Sequence, residues 1–94
     1  MKQFKTAVFG AGFVGRVHIE GIRRLGNVEV AAVVAVTDAE AAQLGEQLSI
    51  PKTSSDYRSI LEDGSIDAVH ICTPNALHFP MTIDALQAGK HVLC

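Results

Sequence analysis

The chain has 94 residues, 48% of them hydrophobic and 19% charged, with 8 Lys+Arg against 10 Asp+Glu for a formal net charge of −2. That length accommodates one core and no separate second domain. The hydrophobic content excludes a disordered chain, and the near-neutral balance gives no electrostatic footprint for nucleic acid or an anionic membrane.

The first apolar burst, Thr6-Ala7-Val8-Phe9, is short and continuous, as a strand covered on both faces should be. Gly10-Ala11-Gly12 breaks it, and Val14, Val17, Ile22 and Leu25 then mark the apolar stripe of a helix. Arg16, Glu20, Arg23 and Arg24 fall off that stripe, and Gly26-Asn27 stops it. Val28 through Val36 is rich in β-branched residues and reads as a central parallel strand ending at Thr37-Asp38. Asp38 is placed to cap a helix from Ala39 to about Leu48, closed by Ser49-Ile50-Pro51.

Lys52-Thr53 fits a short third strand. Ser54 or Ser55 is the expected cap of a helix carrying Tyr57, Ile60 and Leu61, ended by Asp63-Gly64. Asp67 to Thr73 reads as a fourth strand, and Pro74-Asn75 turns the chain into a helix from about Leu77 to Ala88. Pro80 is expected in the first turn of that helix, with Gly89 at its end. His91 to Cys94 begins a fifth strand. Strands alternating with helices mean βαβ units, hence an α/β, Rossmann-type doubly wound parallel sheet of strand order 3-2-1-4-5.

The longest apolar run, Val30 to Val36, falls far below the roughly 20 residues that cross a bilayer, and the polar N-terminus lacks a signal-peptide core. Cys72 and Cys94 lie far apart without metal-ligand spacing, so both are expected to be small buried thiols in a reducing cytoplasm. A mean hydropathy of +0.24 points to strands buried on both faces or to a surface awaiting a covering partner.

Gly10-Ala11-Gly12-Phe13-Val14-Gly15 is G-x-G-x-x-G between a predicted strand and a predicted helix, the context that gives this pattern meaning. Gly10 permits the tight turn, Gly12 lets the backbone approach a pyrophosphate, and Gly15 lets the helix pack on the first strand. Amides around Gly12, Phe13 and Val14, aided by the helix dipole, would hold the anion; the alternative is a glycine turn with no ligand. Asp38, 23 positions past Gly15, is the expected acceptor for the adenosine ribose hydroxyls, a role compatible with helix capping. A carboxylate there repels a 2′-phosphate and Ala39-Glu40 supplies no arginine, so NAD is favoured over NADP.

Other polar residues have plainer explanations. His70 and His91 fall within apolar strands as structural histidines, and His18 sits on the first helix for packing or surface. No histidine pair has metal-site spacing, and no nucleophile motif is present. Arg16 near the helix start is either solvated or within reach of a phosphate, and Lys90 suits the C-terminal end of its helix.

The sequence resembles the N-terminal domain of the glucose-fructose oxidoreductase / inositol dehydrogenase / MocA (Gfo/Idh/MocA) family over essentially its whole length. The likeness is carried by Val8 to Gly15 with Arg16-Val17-His18, Val34 to Asp38, Asp56-Tyr57 through Ile60-Leu61, and Ile66 to Val69. Most specific are Thr73-Pro74-Asn75 with His78 and Ala85 to Val92, containing Ala-Gly-Lys-His. The resemblance implies a dehydrogenase moving a hydride between NAD(P) and a sugar, inositol or related polyol or carbonyl compound. It also implies that Thr73, Pro74 and Asn75 line the cofactor toward its nicotinamide, with His78 beside them.

Family members continue after the fifth strand with Glu-Lys-Pro, whose lysine assists catalysis, and with a substrate domain. Residues 1–94 therefore read as the dinucleotide-binding domain truncated before both, with no catalytic residue of its own and no expected turnover alone. A non-catalytic NAD(H)-sensing module and an S-adenosylmethionine-binding fold are the alternatives, the second disfavoured by the Thr-Pro-Asn and Ala-Gly-Lys-His segments. Family enzymes often assemble through the second domain's sheet, so these residues alone are expected either to stay monomeric or to form a homo-oligomer through uncovered apolar surface.

Overall fold

The computed structural model describes residues 3–10 and 12–94; Ala11 of the glycine turn lies outside them. Nine elements follow in order: β1 (Phe4–Phe9), α1 (Phe13–Arg23), β2 (Val28–Val34), α2 (Asp38–Leu48), β3 (Lys52–Ser54), α3 (Tyr57–Leu61), β4 (Ala68–Ile71), α4 (Asn75–Gln87) and β5 (His91–Leu93). All strand pairs are parallel, and the sheet order is β3-β2-β1-β4-β5, as the alternation of elements required.

Two cores sandwich this sheet. Val8, Val30 and Val33 meet Ile19, Ile22 and Leu44 on the face of α1 and α2. Ala7, Phe9, Val34, Val69 and Ile71 meet Ile60, Leu61, Met81 and Ala85 on the face of α3 and α4. The β1–β2 register shifts between Thr6↔Val30 and Ala7↔Ala32, so Ala31 is an extra residue in β2. Ala31 and Ala32 consequently both join the α3/α4 core although they are adjacent in sequence. The chain is buried without a break from Val30 in β2 to Ala35 just beyond it, which accounts for part of the high mean hydropathy. The rest lies outside: Phe79, Ile83 and Leu86 recur at helical spacing on α4 and are exposed. No helix among the described residues is long and apolar enough to cross a membrane.

Several local expectations are corrected. The buried stripe of α1 is Gly15, Ile19 and Ile22; Val14, Val17 and Leu25 are 54%, 52% and 64% exposed. A glycine occupies the point of closest approach to β1, which an apolar-residue count does not register. β2 ends at Val34, its last bond to β3 running from the Ala35 amide to the Ser54 carbonyl at 3.1 Å, and Val36 beyond it is 87% exposed.

Thr37, not Asp38, caps α2, its hydroxyl accepting the Glu40 amide at 3.1 Å. Asp56, not Ser54 or Ser55, caps α3 by accepting the Arg58 amide at 3.0 Å. α4 starts at Asn75, two residues early, so Pro80 lies in its interior rather than its first turn. Its C-terminal end does close on Gly89 (φ 79°), with Gly89 donating to Leu86 and Lys90 to Ala85.

Lys90 is 8% exposed, and its ammonium donates to the Asp63 carbonyl at 2.8 Å and the Ile66 carbonyl at 2.7 Å. It ties the loop before β4 to the start of β5 instead of serving the end of its own helix. Cys72 is half-buried, but Cys94 is exposed, against the expectation that both thiols are buried. Burial and, secondarily, Cys94 push the Cys72 thiol above the ordinary thiol range.

Two of the histidines meet. His18 on α1 and His70 on β4 place their Nδ1 atoms 3.2 Å apart in an edge-on ring contact, so one ring must donate and the other accept. Burial, then the neighbouring His18, lowers the pKa of His70 below its ordinary 6.5. The unfolded chain therefore binds more protons than the folded one as pH falls below about 6.5. Stability is expected to decline from there downward and to be constant with respect to this group above it. Chemical denaturation at pH 7.5 and 5.5 tests this: His70→Gln should flatten the slope, and an unchanged slope would refute the assignment.

Candidate functional site

The C-terminal ends of β1, β2 and β4 open into a cleft of about 760 Å³. Gly10, Gly12, Phe13 and Val14 form one wall, and Thr73, Pro74, Leu77 and Met81 another. Val34, Ala35, Val36, Glu40, Ser55, Tyr57 and Cys72 complete the lining. It stands where strand order reverses between β2-β1 and β1-β4, the usual ligand crevice of an open α/β sheet. Its size and largely apolar walls suit an organic ligand.

The glycine turn divides its labour. Gly10 has φ 114°, and a Cβ there would come 2.7 Å from the Cys72 carbonyl oxygen, so both conformation and space require glycine. Gly15 lies under the turn: a Cβ would come 2.2 Å from the Gly10 carbonyl oxygen, and the absence of one seats α1 against β1. Gly12 is the N-cap of α1, with extended backbone and no side-chain cap. Its carbonyl accepts the Arg16 amide at 3.1 Å, and the amides of Phe13 and Val14, in the first turn, have no intrahelical acceptor by geometry. A Cβ on Gly12 would meet nothing within 4 Å, so the space above the turn is open. Arg16, in the next turn, bonds Gln47 of α2 at 3.3 Å.

Asp38 is exposed at the start of α2 and is not itself a lining residue. Its Oδ1 accepts the Ser55 amide at 2.9 Å, and Ser55 does line the cleft. Hydrogen bonding from Ser55 holds the Asp38 carboxyl below the usual carboxylate range.

At the other wall, His78 donates from Nε2 to the Thr73 carbonyl at 2.6 Å, and the Thr73 hydroxyl points to the Met81 sulfur at 3.4 Å. His78 thus braces the Thr73-Pro74 turn and is not among the lining residues. Asn75 opens α4, and its side chain lies outside the described set.

Tyr57 forms part of the floor, its ring 5.6 Å from Phe9 and its hydroxyl donating to the Asp84 carboxylate. That bond, helped by burial, raises the tyrosine pKa above the usual phenol value. Ser55, Tyr57 and Cys72 were invisible as site residues in the sequence. Ser55 resembled a helix cap, and the other two resembled core; only the D-Y pair after the third strand hinted at a fixed position.

Residues 4–94 match the family described as the Gfo/Idh/MocA oxidoreductase family, NAD-binding Rossmann fold. The chain is 34% identical over 93 residues to the uncharacterized oxidoreductase YrbE of Bacillus subtilis, covering 99% of this chain and 27% of that protein. Levoglucosan dehydrogenase solved in complex with NADH superposes with a TM-score of 0.94 at 28% identity, over 99% of this chain and 27% of the other. The scyllo-inositol dehydrogenase of Lactobacillus casei with bound NAD(H) and scyllo-inositol gives 0.87 at 29% identity, over 97% and 27%. The chain thus spans about a quarter of the length of the relatives it matches. With the fold, the glycine turn and the crevice agreeing, the chain belongs to the Gfo/Idh/MocA oxidoreductases and corresponds to their nicotinamide-dinucleotide-binding Rossmann domain.

Proposed function

We propose that these residues form the cofactor half of a dehydrogenase that takes NAD in preference to NADP and acts on a sugar, inositol or related polyol. The observation carrying the cofactor reading is the open space over Gly12, beside amides without helical acceptors, at the mouth of a cleft of about 760 Å³. A diphosphate fits there: it would accept from the first-turn amides of α1, and the helix dipole favours its charge. Gly10 and Gly15 hold the turn in place, while Phe13 and Val14 flank the diphosphate. Asp38, at the start of α2, accepts from the adenosine ribose. Thr73, Pro74 and Asn75 guide the cofactor toward its nicotinamide end, and His78 keeps that turn rigid through its bond to Thr73. Bound nicotinamide supplies the hydride acceptor or donor.

The preference for NAD follows from charge. Asp38 is held ionised by Ser55, and Glu40 also lines the cleft, so a 2′-phosphate would enter between carboxylates. The substrate class rests on the relatives, which include a levoglucosan dehydrogenase and a scyllo-inositol dehydrogenase.

Calorimetric titration with NAD and NADP tests the reading. NAD is expected to bind more tightly, and Asp38→Asn to weaken NAD by about 10-fold, as loss of a charge-assisted hydrogen bond should, with NADP changed far less. Tighter binding of NADP by the unaltered protein would overturn the assignment.

A further inference from the structure

The bond between Asp38 and Ser55 joins parts of the chain that neither helix needs to bring together. Thr37 already caps α2 and Asp56 already caps α3, so neither Asp38 nor Ser55 is occupied at a helix end. Yet the Ser55 amide donates to Asp38 Oδ1 at 2.9 Å across 17 residues of sequence. The turn that presents Ser55 is itself fixed. The Ala35 amide holds the Ser54 carbonyl at 3.1 Å, and the Ser54 hydroxyl accepts the Asp56 amide at 2.9 Å. A short turn pinned at the ends of β2 and β3 thus reaches over to the first residue of α2, and the same serine faces the cleft.

We propose that Ser55 is the positioning residue for Asp38, fixing its carboxylate before the cofactor arrives and thereby setting the discrimination between NAD and NADP. This rests on the reading of Asp38 as the ribose acceptor. An exposed aspartate would otherwise sample several rotamers and would have to be ordered on binding. With one oxygen held by Ser55, the group keeps a single orientation and its remaining acceptor sites stay available to the two ribose hydroxyls. Of the nearby carboxylates, Asp56 is engaged by the Arg58 amide, while Glu40 lines the cleft on the same side. Hydrogen bonding from Ser55 is also what lowers the Asp38 pKa. Ser55 therefore acts through Asp38.

Ser55→Pro, made in the full chain, removes the amide that holds Asp38, whereas Ser55→Ala keeps it. Ser55→Pro is expected to raise the Asp38 pKa in a carboxyl-carbon NMR titration and to weaken NAD by about 3- to 10-fold, the range of one hydrogen bond. NADP affinity should change less than about twofold, and Ser55→Ala should keep NAD affinity within about twofold of the original; an equal loss in Ser55→Ala would overturn the assignment to the amide. In an Asp38→Asn background, Ser55→Pro should do nothing further to NAD binding.

Equal loss of NAD affinity in both backgrounds would overturn the proposal, since Ser55 would then act without Asp38. An unchanged Asp38 pKa in Ser55→Pro would overturn it as well, while leaving the ribose role intact if Asp38→Asn still weakens NAD. If Asp38→Asn leaves NAD binding unchanged, the ribose role falls and Ser55's part in discrimination falls with it, even where the pKa moves as expected.

Discussion

Gly15→Ala is expected to destabilise the domain by about 3 kcal/mol or more, as overpacking against an immobile neighbour does. The added methyl would sit 2.2 Å from the Gly10 carbonyl oxygen and 3.1 Å from its carbon, both backbone atoms of the turn that ends β1. Neither a rotamer change nor a flexible side chain can absorb that overlap. Relief requires α1 to lift from β1, which separates Ile19 and Ile22 from Val8 and Val33 in the core beneath. For a domain of this size, 3 kcal/mol corresponds to a drop of at least about 12 °C in the melting temperature. Thermal unfolding followed by circular dichroism gives the answer directly. A variant melting within a degree or two of the original would mean that α1 does not depend on this contact for its seat.

Gly12→Ala should do the opposite, leaving the fold intact and crippling the site. Its backbone, φ −77° and ψ −169°, is open to any residue, and the added methyl would touch nothing within 4 Å. The stability change is expected to stay within about 1 kcal/mol, because alanine is only a poorer helix cap than glycine. The methyl would instead occupy the space through which a diphosphate must come to reach the first amides of α1. NAD affinity is expected to fall by about 100-fold, the scale of losing close contact with a charged group. Unfolding and calorimetry on the same variant separate the two effects. Unchanged NAD affinity would remove the diphosphate from this turn and send the cofactor reading elsewhere in the cleft.

These two glycines were given different tasks by the sequence motif alone, and the structure supplies the reason: one looks into the protein and the other out of it. The helix they open was read less well. Val14 and Val17 are apolar at helical spacing, which points to the core, whereas the sheet-facing row begins with a glycine. Hydrophobic periodicity locates a helix correctly and still misplaces its buried face when the closest contact is made by a residue with no side chain. The helix caps are illegible in the sequence for a related reason. Thr37, Asp38, Ser54, Ser55 and Asp56 can all accept an amide, and choosing among neighbours depends on where the strand before them stops.

By itself, the sequence determined the alternation of strands and helices, and with it the parallel order 3-2-1-4-5, because buried β-branched runs separated by helices leave few right-handed solutions. It also determined the glycine turn, since the spacing of Gly10, Gly12 and Gly15 encodes a local backbone requirement. Only the tertiary structure decided that Lys90 crosses to the Asp63 and Ile66 carbonyls, that His18 meets His70, and that Ser55 grips Asp38. Each of those contacts joins residues 17 or more positions apart. Their partners are selected by how strands and helices stack in space, a property that no local pattern of residues contains.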